Sequence, residues 1–111
     1  MSASETIARE VTSWEGVTAG PHRFGGVEFR YGRRELGHLH GDAVADLPFH
    51  PTLRAMLVET GRAEPHRHMP DSGWVTFRIA GEAGVAEAVA LFRLAYERAR
   101  VAERVRAERG G

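Results

Sequence analysis

Residues 27–40 read VEFRYGRRELGHLH, and this stretch decides the fold. Apolar side chains occupy every second position over residues 27–31, which predicts a strand with one buried face. A glycine-containing turn follows, and residues 35–40 are predicted to form the next strand. With a further strand predicted over residues 17–23 and a tight glycine turn at 24–26, the three strands form an antiparallel meander.

The segments on either side of the meander show helical and extended patterns. Ser2-Ala3-Ser4-Glu5 has the form of a capping box, with serine at the cap and glutamate three residues later. Helical spacing of apolar residues predicts three helices, and alternation predicts two more strands separated by the turn residues Pro70-Asp71-Ser72-Gly73. The predicted helices cover residues 3–14, 51–60 and 81–100, and the two further strands cover residues 63–68 and 74–79.

The predicted element order is αβββαββα. Its strands are grouped rather than alternating with helices, which indicates an α+β fold with helices packed on a five-stranded antiparallel sheet. A chain of 111 residues suits a single domain, 1–111, with a core within about residues 3–100. Residues 101–111 are predicted to be a helical extension or a tail.

Composition and charge exclude several classes of protein. Without cysteine the chain has no disulfides, thiolate metal sites or cysteine nucleophiles. The N-terminus lacks the pattern of a signal peptide, and no apolar stretch approaches the ~18 residues of a membrane span, so we expect a cytoplasmic protein without a membrane partner. Fifteen basic residues balance fifteen acidic ones, whereas nucleic-acid-binding domains usually carry a basic excess, so a nucleic-acid partner is not expected.

Histidine placement is the feature that points most clearly to a site. His38 and His40 belong to one predicted strand, and His66 and His68 belong to another. The i, i+2 spacing directs both rings of each pair to the same face of its strand. Two adjacent strands of this kind would bring four imidazoles to one surface, an arrangement that suits a polar ligand.

We predict that the ligand binds in a groove on this sheet face. An outward Trp74 is suited to form the floor of the groove or to contact a partner. The sequence assigns no catalytic residue, metal ligand or cofactor, because it contains no HExxH motif, cysteine cluster, phosphate loop or dinucleotide fingerprint. The predicted ligand-binding residues are His38, His40, His66, His68 and Trp74, with Arg34, Glu35 and Asp42 at the rim.

The same residues fit more than one function. The leading hypothesis is a small binding or interaction module with a small-molecule or protein partner, and a homodimer is also compatible with the sequence. The first alternative is a small metal-dependent or acid–base enzyme that uses the same histidines with Glu35 or Asp42. The second alternative is nucleic-acid binding through Trp74 and the arginines of the meander, which the neutral net charge disfavours.

Three segments of the chain together resemble a known family. They are residues 22–29 (HRFGGVEF), residues 34–42 (RELGHLHGD), and residues 61–66 (GRAEPH) with residues 70–75 (PDSGWV). Their combination is similar to the luciferase domain, a bacterial and fungal family of small proteins, over most of the chain. The resemblance implies no established mechanism and no light emission. A weaker similarity, to the YjbR-like fold, concerns architecture and carries no function.

The clustering of histidines also predicts a pH dependence. Imidazoles that share one face repel one another when protonated, and burial acts in the same direction. We therefore expect histidine pKa values below the ordinary ~6.5. The melting temperature is then expected to fall as the pH drops from about 7 to 5.

Overall fold

A computed structural model describes residues 1–22 and 25–110 of the chain. It consists of three helices and six strands in the order αββββαββα. The helices are α1 (Ala3–Thr12), α2 (Pro51–Glu59) and α3 (Gly81–Gly110). The strands are β1 (Val17–Pro21), β2 (Val27–Tyr31), β3 (Arg34–His40), β4 (Val44–Pro48), β5 (Glu64–Pro65) and β6 (Trp74–Arg78).

The strands form one antiparallel sheet in the spatial order β1-β2-β3-β4-β6-β5. The α+β class and the meander of β1, β2 and β3 are confirmed. The predicted number of five strands is wrong, because β4 adds a sixth strand between β3 and β6. The sequence VADLP lacks clear alternation and contains Asp and Pro, both disfavoured in strands, so its pattern does not indicate β structure.

Several predicted boundaries also differ from the structure, two of them by more than one residue at a described position. The strand predicted over residues 63–68 is limited to the two residues of β5, since the chain leaves the sheet after Pro65. The first helix ends at Thr12 rather than at residue 14. The predicted end of the first strand at residue 23, and residue 24 of the following turn, lie outside the described residues.

Helices α1 and α3 cover the apolar core against the central strands. Phe29 of β2 meets Phe92 of α3 edge to face, with 5.2 Å between the ring centroids. Leu39 of β3 is fully buried in the same core, and Gly37 lies beside Phe92. Since side chains alternate along a strand, His38 and His40 point to the opposite face of β3.

A β-bulge in β3 changes which side chains reach that opposite face. Gly37 pairs with Phe29 and Glu35 pairs with Arg30, so Leu36 is an extra residue that opposes no partner. Leu36 enters the core, where it is 1% exposed. The bulge therefore places Glu35 on the same face as His38, three residues later, which regular alternation would prevent.

The predicted helical extension is part of α3, which continues to Gly110. Residues 103–110 are exposed along their whole length. The Tyr31 hydroxyl donates to a Glu103 carboxylate oxygen at 2.9 Å, which connects the start of the extension to β2. In the part of the chain that the structure describes, no helix has the length and apolar character needed to cross a membrane.

We expect a chain that ends after Glu103 to melt within about 2 °C of the full chain, because changes at exposed positions alter stability by roughly 0.5 kcal/mol or less. A chain that ends after Glu97 is the comparison, since it also removes the buried Ala99 and is expected to melt several degrees lower. Thermal unfolding followed by circular dichroism measures both. Equal melting temperatures for the two truncated chains would show that residues 98–103 of α3 do not contribute to stability, contrary to this expectation.

Candidate functional site

Asp46 is the centre of a polar cluster on the sheet face opposite α1 and α3. Its carboxylate belongs to β4, where it lies between His38 of β3 and Thr76 of β6 in register. Asp46 is 1% exposed, and the Thr76 hydroxyl donates to its Oδ1 at 2.7 Å. A buried carboxylate requires partners of this kind, because an unpaired charge in the interior is costly.

Three imidazoles converge on the other oxygen of the same carboxylate. The distance to Asp46 Oδ2 is 3.1 Å from His40 Nε2, 3.4 Å from His38 Nε2 and 3.6 Å from His66 Nε2. His38 and His40 come from β3, whereas His66 follows β5. The two histidine segments therefore meet in space, with β4 and β6 between them in the sheet.

His38 is held between two carboxylates. Its Nδ1 lies 2.8 Å from Glu35 Oε2, a contact that the bulge in β3 makes accessible, and its Nε2 faces Asp46. The ring stacks on His22 with 3.9 Å between centroids, and Trp74 lies beside it at 5.3 Å. His38 therefore has a defined position and orientation, with both nitrogens directed at acidic oxygens.

These contacts set the charges at the centre of the cluster. Burial alone lowers the His38 pKa, but the Asp46 and Glu35 carboxylates outweigh it and raise this pKa from 6.5 to about 9. Burial raises the Asp46 pKa, but His38, Thr76 and the charge of His66 outweigh it and lower this pKa from 3.8 to about 2. At neutral pH, His38 is therefore an imidazolium and Asp46 a carboxylate.

The expectation of uniformly lowered histidine pKa values is therefore wrong for His38. The reason is that the shared face carries buried acidic partners that the sequence reasoning did not place there. For His40 the pKa is lowered as expected, because burial and the neighbouring His38 charge both disfavour the protonated ring. One imidazole of the cluster is consequently charged, and the next one along the strand favours the neutral form.

The cluster forms the base of a surface groove with a volume of about 840 Å³, here called the Asp46 groove. Its wall includes the Trp74 ring, which lies beside both His38 and His66. The backbone N–H of His68 donates to His66 Nδ1 at 3.2 Å, which orients the His66 ring towards Asp46. The groove is lined by Pro21, His22, Glu28, Arg30, Glu35, His38, His40, Asp46, His66, Arg67, His68, Met69 and Trp74.

The structure brings six of the eight residues predicted for the site into this groove. They are His38, His40, His66, His68, Trp74 and Glu35. Arg34 is elsewhere, because it lines a separate groove between β3 and the C-terminal half of α3. Asp42 is elsewhere too, because the turn after β3 carries it to the start of α1, where Oδ1 accepts from the Ser4 N–H at 2.8 Å. The first turn of a helix has such unpaired N–H groups.

Sequence reasoning missed Asp46 and Thr76, which are central to the cluster. The available signal was a single carboxylate between Ala45 and Leu47 in an otherwise apolar segment, since a charge at such a position needs partners. His22 was not among the predicted site residues, but it lines the groove against His38. Arg67 and Met69 were also not assigned to the site and lie at the rim near His68.

We expect Thr76→Val to reduce the free energy of unfolding by about 1 to 2 kcal/mol, because the variant keeps the shape of the side chain but leaves Asp46 Oδ1 without its donor. Thr18→Val is the matched control, since Thr18 is an exposed residue of β1. Urea unfolding measures both variants. A loss in Thr76→Val no larger than in Thr18→Val would show that the hydroxyl does not stabilise the buried carboxylate.

Comparison with known proteins identifies the family of the chain. The comparison with curated proteins found no match, and neither did the comparison with solved structures. The family model of the luciferase domain matches residues 33–95, more than half of the chain. This segment carries Glu35, His38, His40, Asp46, His66 and Trp74, and therefore most of the Asp46 groove. The chain belongs to the luciferase domain family.

Proposed function

We propose that the chain is a small binding domain whose Asp46 groove receives a small polar ligand. The observation that carries the proposal is the buried Asp46 carboxylate, surrounded by three imidazoles at the base of an open groove. Buried ion pairs seldom add net stability compared with well-packed apolar residues. Such a cluster beside a groove is therefore better explained by binding than by folding.

The chemistry of the groove favours a ligand with both polar and planar parts. Trp74 offers an aromatic surface, while the histidines, Glu35 and Arg67 supply donors and acceptors around it. The volume of about 840 Å³ falls in the range of small-molecule sites. A small-molecule partner is therefore proposed ahead of a protein partner, and a homodimer and a cytoplasmic location stay predictions.

An acid–base enzyme is the second candidate, and a specific contact favours it. His40 Nε2 lies 3.1 Å from Asp46, and the His40 side chain is 33% exposed to the groove. Its lowered pKa favours the neutral form, which is the form able to accept a proton from a bound molecule. Nucleic-acid binding receives no comparable support, because three carboxylates line the groove beside its two arginines.

The experiment that tests the proposal is ligand mapping by NMR. ¹H–¹⁵N spectra are recorded while the protein is titrated with a panel of small carboxylates, phosphate esters, amines and aromatic amides. Members that bind are expected to shift the Trp74 indole N–H and the backbone amides of residues 66–68. The Trp14 indole, which donates to Glu10 on α1, is the internal control and is expected not to move.

Two matched variants complete the test. Trp74→Leu is expected to weaken binding of the panel members about tenfold, since stacking on an aromatic ring contributes roughly 1 kcal/mol or more. Trp14→Leu is expected to leave binding unchanged. The proposal fails if the shifts map to another surface or if no panel member binds. Chemical conversion of a bound panel member in the same samples would favour the enzyme.

A further inference from the structure

Three ligating side chains at the base of the groove have the separations that a metal ion requires. The ligand atoms of His38, His40 and Asp46 all lie within 4.8 Å of one another. The two Nε2 atoms are 3.4 and 3.1 Å from Asp46 Oδ2. An ion bound at about 2.1 Å holds adjacent ligand atoms roughly 3.0 to 3.4 Å apart, and the two nitrogen–oxygen separations already lie in that range.

In His38 and Asp46, the polar atom that would not bind the metal already has another partner. Glu35 Oε2 lies 2.8 Å from His38 Nδ1, and the Thr76 hydroxyl donates to Asp46 Oδ1. Histidines that bind metals commonly donate their second nitrogen to a carboxylate, which fixes the ring and increases its basicity. Glu35 and Thr76 therefore direct His38 Nε2 and Asp46 Oδ2 towards one point.

His66 has a different role, although it faces the same carboxylate. Its Nδ1 accepts from the His68 backbone N–H, so the hydrogen of the neutral ring is on Nε2. That nitrogen lies 3.6 Å from Asp46 Oδ2, and because it carries the hydrogen it has no lone pair for a metal. The ligand set consists of two imidazoles and one carboxylate. Because a metal-bound imidazole nitrogen carries no hydrogen, binding of the ion displaces the Nε2 proton of the His38 imidazolium to solvent. The remaining coordination positions face the groove.

We propose that His38, His40 and Asp46 bind one divalent first-row transition metal ion at the base of the Asp46 groove, with Zn²⁺ as the representative ion. The donor set of two nitrogens and one oxygen suits ions of this class and not Ca²⁺ or Mg²⁺, which prefer oxygen ligands. The proposal rests on the proposed function, since it names the ligand received by the base of the same groove. Coordination positions left open there would accept the polar group of a second bound molecule.

The test uses full-length protein purified without a histidine tag. Equilibrium dialysis against Zn²⁺ followed by elemental analysis gives the stoichiometry and the affinity. Visible absorption of the Co²⁺-loaded protein reports the coordination of the ion independently of the amount bound. We expect one Zn²⁺ per chain, and no comparable binding of Mg²⁺.

Variants identify the ligands. His40→Gln is expected to weaken Zn²⁺ binding roughly 100-fold or more and to lower the Co²⁺ absorption, since loss even of an outer-sphere partner reduces metal affinity 10- to 100-fold. Glu35→Gln is expected to weaken Zn²⁺ binding 10- to 100-fold, because Glu35 holds the second nitrogen of the ligand His38. His50→Gln is the matched control, because His50 caps α2 outside the groove, and it is expected to bind as the wild type does.

The outcomes separate this proposal from the proposed function. Zn²⁺ binding that is absent in the wild type, or equally tight in His40→Gln, overturns the metal site. If members of the NMR panel still map to the groove in that case, the proposed function stands alone. Since the His40 side chain is partly exposed, His40→Gln is expected to fold, and an unchanged circular dichroism spectrum verifies this.

Discussion

Gly37→Ala is expected to lower the free energy of unfolding by about 3 kcal/mol, through strain and overpacking together. Gly37 has a φ of +146°, a conformation that residues with a Cβ rarely adopt. An added Cβ would lie 2.7 Å from the Asp46 carbonyl oxygen, 2.9 Å from Phe92 Cε1 and 3.0 Å from Leu47 Cγ. The backbone oxygen cannot move away without disturbing the pairing of β3 with β4.

The same substitution at Gly32 is the control. Gly32 also has a positive φ, +61°, but a Cβ there would have open space around it. Gly32→Ala is therefore expected to cost only the conformational strain of about 1 to 2 kcal/mol. Urea unfolding compares the two variants. Equal decreases in the free energy of unfolding would show that the bulge at Gly37 tolerates a side chain and that close packing there is not required.

The second large effect concerns pH. Between pH ~6.5 and ~9 the free energy of unfolding of the metal-free protein is expected to fall by on the order of 3 kcal/mol. The His38 pKa is about 9 in the folded protein and 6.5 when unfolded, so the folded state binds the proton more tightly. That stabilisation is fully present below pH ~6.5 and is lost as the pH rises through ~9.

Asp46 acts at the other end of the pH range. Its pKa is about 2 in the folded protein, below the ordinary 3.8, so its contribution is present above pH ~3.8 and is lost as the pH falls towards 2. From these two groups, stability is expected to be greatest between pH ~4 and ~6.5. This reverses the sequence-based expectation of a melting temperature that falls from pH 7 to 5.

Urea unfolding at a series of pH values, in buffer with EDTA, tests this prediction. His38→Gln is expected to remove most of the loss between pH ~6.5 and ~9, and His50→Gln is expected to retain it. The titratable groups around His38 are Glu35 on its own strand, Glu28 opposite it on β2, Asp46 on β4, and the neighbouring His22 and His40. A wild-type profile that is flat over this range would mean that the two carboxylates do not hold the His38 proton.

Patterns along the chain predicted the elements in which a single buried face repeats with a regular period. The alternation over residues 27–31 and the helical periodicity of α3 identified real elements, because one face of each is buried. Strand β4 was missed, since its buried residues on both sides give no period. Its place between β3 and β6 follows from long-range pairing, which local propensity does not encode.

The candidate site was predictable to the extent that it depends on alternation within a strand. His38 and His40 share a face, as the i, i+2 spacing predicted, and the second histidine segment meets them. Asp46 was not predictable in this way, because its role depends on the register of β4. Arg34 and Asp42 were included through sequence adjacency, but alternation and the turn after β3 direct them elsewhere.

The most direct test of the central claim, that three imidazoles share the Asp46 carboxylate, is the protonation of each ring. Long-range ¹H–¹⁵N spectra of the metal-free protein at about pH 7.5, a unit above the ordinary histidine pKa, distinguish the two nitrogens of every imidazole. We predict hydrogens on both nitrogens of His38, a neutral His40, and a His66 Nδ1 that accepts from the His68 N–H while Nε2 carries the hydrogen. A neutral His38 at this pH, or a His66 hydrogen on Nδ1, would contradict the arrangement around Asp46.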